Sequence, residues 1–400
     1  MEMEGIKLPK GFYYGSCLCH IKESSQKEDV ALIVSNTMCD VGIVYTKNIV
    51  KADPLLLNQQ TLQDGKAQAI IVNSGNANAC AKNGMENAIK EQQAAACLLD
   101  LKPQDVIVAS TGVIGAELPV EKIEKGLDQI HLNDSESAFE KAAIAIMTTD
   151  TKMKIAQASL QIGQQTVRIA GMCKGSGMIH PNMGTMLAFI CTDAKIESSV
   201  LQKLVQKLTK KTFNRISVDG DTSTNDMCIV LANGQAMYDT IQEEEDSLFE
   251  EALFTVMKSL AIQIASDGEG ASRLLEIMVT HAKNEKQAEQ LAMSVCSSSL
   301  FKAAMFGKDA NWGRILCAMG YSGAVFDVNG VTVSFSSKEG EICVCQKGKG
   351  VSFDEEKATK ILSADRVQVH IDLQEGNAEA TCWGCDLTYD YVKINGDYRT

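Results

Sequence analysis

The sequence has no basic block. Its 38 lysines and arginines are outnumbered by 51 aspartates and glutamates, giving a formal net charge of −13. A nucleic-acid partner needs clustered cations to replace counterions along the phosphates, so that class is not expected. No apolar run approaches the roughly 18 residues that span a bilayer. The opening MEMEGIKLPKG carries acids and no apolar core segment, so it does not read as a secretory signal. Neither an internal repeat nor a low-complexity linker is visible. The only histidines are His20, His131, His180, His281 and His370, and of these His180 alone falls near a suspicious string. No Ser-His-Asp arrangement can be assembled from their spacing, and a metal site has too few ligands. An enzyme built on this chain is not expected to use histidine as its base.

What is present suits a globular protein: 45% of residues are hydrophobic and 22% charged. Four hundred residues exceed what one core usually serves, which suggests two domains. Fourteen cysteines point to a reducing compartment and a cytoplasmic protein, because oxidation would pair them promiscuously. CLC at 17–19 and CVC at 343–345 read as alternating strand positions. Cys382 and Cys385 have redox spacing, but no second pair joins them for zinc. Most of these thiols are expected to be small buried hydrophobes.

From about residue 66 the pattern alternates between strand and helix. QAIIVNS and DVIVAS are strands, separated by a helix over about 85–99. Helical patterns then cover about 119–130 and 135–148. KIAQASLQI and TVRIAGMC, joined by GQQ, predict a hairpin and hence a partly antiparallel sheet. MLAFICTDA and MCIVLANG are further strands, with a helix between them. A long helix over about 245–266 stops at the glycines of DGEG, and the acidic run Glu243–Asp246 is its solvated start. Composition shifts near residue 275. The expectation is a larger unit over 1–275 and a smaller α+β unit over 276–400, of α/β (α+β) class with helices covering mixed sheets.

Polar, glycine-bearing strings recur at the ends of apolar strands, where sites usually lie. They are NSGNANAC, STGVIG, KGSGMIHPNMGT, SVDGDTSTND, DGEG, GKDANWGR and the ending WGCDLTYDYVKINGDYRT. At Thr111-Gly112, glycine lets backbone N–H groups converge and a helix follows, which suits an oxyanion; a plain strand-to-helix turn fits the same string. DGDTSTND alternates Asp219 and Asp221 like a calcium loop, yet lacks the glycine and glutamate an EF-hand needs. KGSG does not fit a phosphate-binding P-loop.

Without a histidine base, a threonine hydroxyl activated by its own α-amine remains. An α-amine titrates near 7.7–8.0, closer to neutrality than lysine. Such a threonine must be an N-terminus, so the chain must be cut before it. Gly184-Thr185 fits: Pro181 and Gly184 shape the approach, and the Thr185 hydroxyl can attack the Gly184 carbonyl to form an ester that water releases.

These strings together closely resemble the bacterial ornithine acetyltransferases, the ArgJ family, over essentially the whole chain. The resemblance implies self-cleavage into an α chain (1–184) and a β chain (185–400) that stay associated as an α2β2 heterotetramer. It implies the ArgJ fold, whose larger domain is shared with DmpA-type aminopeptidases, and a C-terminal tail that contributes to the active site. Two departures stand out. Gly184 replaces the usual alanine, and AKNGMENA drifts from the family pattern.

The implied reaction is glutamate N-acetyltransfer, from N2-acetylornithine to glutamate, through an acetyl-threonine on Thr185. Thr111 and Gly112 are the implied oxyanion holders. The implied substrate contacts are Thr151, Lys174, Thr185, Glu269, Asn395 and Thr400. Lys174 can meet a carboxylate and Glu269 the δ-ammonium of ornithine. No metal or cofactor is expected. Members of the family differ in whether acetyl-CoA is also a co-substrate. Two rivals remain: an N-terminal-nucleophile aminopeptidase of the DmpA type, and a cation-binding protein built around DGDTSTND.

Overall fold

LAFICT and MCIVLA, unbroken apolar runs, form neighbouring parallel strands buried at every position. A strand covered on both faces has no wet side, so it shows no alternation. The computed structural model describes residues 5–22, 26–180, 186–237, 239–241 and 243–397. Gly184, Thr185 and Thr400 lie outside these.

The strands before residue 233 are β1 (Phe12–Cys17), β2 (Val30–Tyr45), β3 (Lys66–Asn76), β4 (Val106–Val113), β5 (Lys154–Ile162), β6 (Gln165–Lys174), β7 (Leu187–Thr192), β8 (Ile216–Ser217) and β9 (Met227–Ala232). All but β8 share one mixed sheet in the order β4-β3-β2-β9-β7-β6-β5, with β1 also beside β2. The expected hairpin is β5–β6, antiparallel from Lys154↔Cys173 to Ile162↔Gln165.

The long strand β2 organises this sheet. Its first part, Val30–Ser35, pairs with β1, and its last part, Asp40–Tyr45, pairs with β9. Exposed residues Asn36–Met38 lie between them, where the register against β3 shifts. Ala31 and Ile33 on one side of that break share an apolar cluster with Phe189, Met227 and Ile229 on the other. The sheet therefore folds over on itself, and the inner faces of its two halves enclose one core.

Each outer face has its own helices. Leu32, Ile71 and Val108 pack against Ala88 and Ala95 of the helix Gly84–Leu99 and Ile123 of the helix Val120–Leu127. On the other half, Ile169, Ile190 and Val230 pack against Val205 of the helix Ser198–Lys211 and Leu253 and Leu260 of the helix Glu243–Ser266. The layers run helix, sheet, sheet, helix.

A second sheet follows, made of β10 (Leu274–Ala282), β11 (Thr332–Ser337), β12 (Gly340–Gln346), β13 (Lys349–Gly350), β14 (Arg366–Asp372) and β15 (Ala378–Cys385). Its order is β13-β12-β11-β14-β10-β15-β8, so the short β8 from the earlier segment joins it at the edge. One face packs on the helices Glu285–Cys296 and Glu355–Leu362.

The 14 cysteines are all free thiols. The alternation expected at Cys17 and Cys19 holds in burial, with both thiols buried on either side of a half-buried Leu18 and their Sγ atoms 3.4 Å apart, although β1 itself ends at Cys17. Among the described residues, no helix is long and apolar enough to cross a membrane.

Candidate active site

The two halves of the folded sheet meet at one cleft. The end of β4 brings Thr111 and Gly112 to it, and the end of β6 brings Lys174. Met186 and Leu187 enter at the start of β7, and Ser223–Asp226 lead into β9. Glu269 follows the long helix Glu243–Ser266, and Asn395 comes from the C-terminal helix Tyr389–Asp397. Hydrogen bonds across the cleft tie the halves together. Lys174 Nζ lies 3.3 Å from Thr111 Oγ1. Asn225 Nδ2 donates to the carbonyls of Ala77, at 2.5 Å, and Ser110, at 2.8 Å.

Gly112 is required where it stands. Its φ is +137°, a region that side chains rarely adopt, and a Cβ would lie 2.2 Å from the carbonyl carbon of Gly75 on β3. At Gly177 a Cβ would lie 2.4 Å from the Glu269 carboxylate, so a larger residue there would displace that carboxylate from its present position. That carboxylate accepts from Asn395 Nδ2 at 2.8 Å, fixing the C-terminal helix to the cleft.

The charges are sharply differentiated. Burial opposes ionisation of Asp150, but the ammoniums of Lys174 and Lys154 and the Gly175 N–H outweigh it and hold the carboxyl below its usual range. Burial pushes the Asp226 carboxyl well above the usual range, against the pull of Ser223 and Lys174. Asp226 Oδ2 has no hydrogen-bond partner among the described residues. The cleft wall thus pairs a fixed cation with a carboxyl biased to stay neutral.

The segment ahead of Pro181 is firmly held. Asp219 accepts the N–H groups of Met178, at 2.6 Å, and Ile179, at 2.8 Å. Met178 carries a φ of +57°, uncommon away from glycine. His180 Nδ1 lies 3.1 Å from Ser217 Oγ, and burial lowers its pKa. On the far side, Met227 N–H donates to the Met186 carbonyl at 3.0 Å.

Of the residues singled out in the sequence, Thr111, Gly112, Lys174, Glu269 and Asn395 converge in the cleft wall. Thr151 does not line it; its amide and hydroxyl both engage Asp267. Sequence reasoning missed Thr148, Thr149, Asn225 and Asp226, all of which line the cleft. DGDTSTND pointed at the last two through its polarity, but under a calcium template. Its Asp219 spends its oxygens on backbone amides, and no grouping of three or more His, Cys, Asp or Glu among the described residues could hold a metal.

A family model described as the ArgJ family matches residues 14–400. The chain belongs to the ArgJ family. It is 48% identical over 398 residues to the arginine biosynthesis bifunctional protein ArgJ of Caldanaerobacter subterraneus subsp. tengcongensis, covering 99% of this chain and 98% of that one. The ArgJ protein of Symbiobacterium thermophilum is 46% identical over 400 residues, covering 99% and 98%. A crystal structure of ArgJ from Bacillus halodurans is 45% identical, with a TM-score of 0.51, and covers 54% of this chain and 100% of that chain. The helix-covered mixed sheets expected of an ArgJ chain are the ones observed.

Proposed function

We propose that the chain is an acetyltransferase of arginine biosynthesis, moving the acetyl group of N2-acetyl-L-ornithine to L-glutamate through an ester on Thr185. The observation that carries this reading is the convergence of Thr111, Gly112, Lys174 and Glu269 in one cleft. Ile179 and Met186, from either side of the Gly184–Thr185 bond, stand in its wall.

The chain first cuts itself. The Thr185 hydroxyl adds to the Gly184 carbonyl, the peptide bond shifts to an ester, and water releases a carboxylate on Gly184 and a free α-amine on Thr185.

In the transfer, the α-amine takes the hydroxyl proton as the oxygen attacks the acetyl carbonyl. Thr111 accepts from Lys174, which leaves its own O–H to donate to the tetrahedral oxyanion, with Gly112 beside it. One such donor contributes roughly 2.7–4 kcal/mol to lowering the barrier. The proton passes to the leaving nitrogen of ornithine, and an acetyl-threonine remains. The amine of glutamate then attacks that ester, and the hydroxyl is restored.

Lys174 suits the α-carboxylate common to both substrates, and Glu269, fixed by Asn395, suits the δ-ammonium of ornithine. Thr400 completes the proposed substrate contacts, whereas Thr151, bound to Asp267 outside the cleft wall, is left out of them. The two chains of one precursor remain together as an α2β2 assembly in the cytoplasm, and neither a metal nor a resident cofactor takes part. The deciding experiment measures acetyl transfer from acetylornithine to glutamate, with acetyl-CoA as an alternative donor, against hydrolysis of small peptides. Transfer supports the reading. Peptide hydrolysis without transfer would replace it with a DmpA-type aminopeptidase.

A further inference from the structure

Behind the cleft, three charged side chains stand in a row away from water. Lys154, on β5, is 1% exposed, and its ammonium lies 2.7 Å from Asp150 Oδ1 and 2.6 Å from Asp267 Oδ2. The two carboxylate side chains are 0% and 4% exposed. None of the three has a part in the proposed transfer. Nor is a buried ion pair a strong source of stability, since desolvation offsets most of its Coulomb gain. Their presence calls for another reason.

That reason lies in what the carboxylates hold. Asp150 accepts the N–H groups of Gly175, at 2.7 Å, and Thr148, at 2.9 Å. Asp267 accepts those of Thr151, at 3.0 Å, and Lys152, at 3.3 Å, together with the Thr151 hydroxyl. The Asp267 carbonyl accepts from Ser176 Oγ at 2.6 Å, and the Ser176 carbonyl accepts the Glu269 N–H at 3.0 Å. Three chain segments, 148–152, 174–176 and 267–269, are therefore fastened to one ammonium. They carry Thr148, Thr149, Lys174, Gly175 and Glu269 into the cleft wall.

We infer that Asp150, Lys154 and Asp267 are positioning residues: Lys154 clamps the two carboxylates, and the carboxylates keep the three cleft-building segments in register. Without the ammonium, two buried carboxylates face each other and must separate or take up a proton. Either outcome slackens the hydrogen bonds they make. Lys174 would then lose its fixed distance from Thr111, and Glu269 its fixed distance from Lys174. The inference rests on the cleft being the transfer site, but the clamp can be tested without that assumption.

The test is amide hydrogen exchange on the full-length protein and on Lys154→Met, Asp150→Ala and Asp267→Ala, with acetyl-transfer kinetics alongside. In Lys154→Met the amides of Thr148, Thr151, Lys152 and Gly175 should exchange about 100-fold faster or more, the scale on which removing one partner of a buried pair acts. Asp150→Ala, which removes both acceptor oxygens, should release Thr148 and Gly175 only, and Asp267→Ala should release Thr151 and Lys152 only. The amides of Ile70 and Ile71 in β3 should stay protected throughout, and kcat should fall in step with the released segments. Should Lys154→Met fail to fold, the two Ala variants carry the test, because each leaves the ammonium one carboxylate. Four unchanged amides in Lys154→Met, or a uniform loss of protection that includes β3, would overturn the inference. A segmental pattern in a protein without acetyl transfer would uphold the clamp and reject the proposed reaction.

Discussion

The ammonium of Lys174 donates to Oγ1 of Thr111 across 3.3 Å, joining the end of β6 in one half of the folded sheet to the end of β4 in the other. The bond gives the Thr111 hydroxyl a fixed acceptor role and leaves its own proton for the cleft. It also stations a cation where a substrate carboxylate can reach it.

Lys174→Met should therefore weaken both catalysis and binding. Removing one partner of a buried, hydrogen-bonded charge pair, here Lys174 with a substrate carboxylate, costs roughly 2–5 kcal/mol, so kcat/KM should drop by about 30-fold to several thousand-fold. Steady-state transfer kinetics measure this directly. An unchanged kcat/KM would remove Lys174 from the site.

Gly112→Ala tests the oxyanion position. The new Cβ would sit 2.2 Å from the Gly75 carbonyl carbon at a φ of +137°, so one of the two strands must move. The oxyanion donors move with it, and kcat should fall by about 10²–10³. A variant that folds and turns over like the parent would show that this backbone takes no part.

A third prediction concerns stability. Glu91, on the helix Gly84–Leu99, is 0% exposed and neither of its carboxylate oxygens has a partner among the described residues. Burial raises its pKa well above the usual 4.5. The folded protein keeps this proton where the unfolded chain has already lost it. The contribution is therefore complete below the unfolded value and declines as pH rises toward the folded one, by about 1.4 kcal/mol per pH unit for one proton. Denaturant melts of Glu91→Gln should show a flatter pH dependence than the parent as pH rises above the ordinary carboxylate range. Parallel curves for the two proteins would contradict the assignment.

Thr185→Ala should leave the chain in one piece and abolish transfer, because one hydroxyl serves both reactions. Wild-type turnover in that variant would require another nucleophile.

The sequence made some of this visible and hid the rest for physical reasons. β7 and β9 are legible because a strand buried on both faces must be apolar throughout. The β5–β6 hairpin is legible through Gly163 in its turn. The folding of the sheet at Asn36–Met38 is not, because no element is predicted over residues 20–65, and a strand that changes layers is set by what packs on it. Thr111, Lys174, Glu269 and Asn395 lie far apart along the chain and are recognisable only through motif resemblance. Lys154 is hidden more completely. It opens the strand KIAQASLQI, and its partner Asp267 is 113 residues away.

The central claim is that Thr185, freed by a cut after Gly184, carries the acetyl group. Intact mass measured under denaturing conditions, before and after incubation with acetylornithine, tests it most directly. The account predicts two chains, one beginning at Thr185 and gaining the mass of one acetyl group, which glutamate then removes. A single 43.2 kDa chain in fully active enzyme would contradict it.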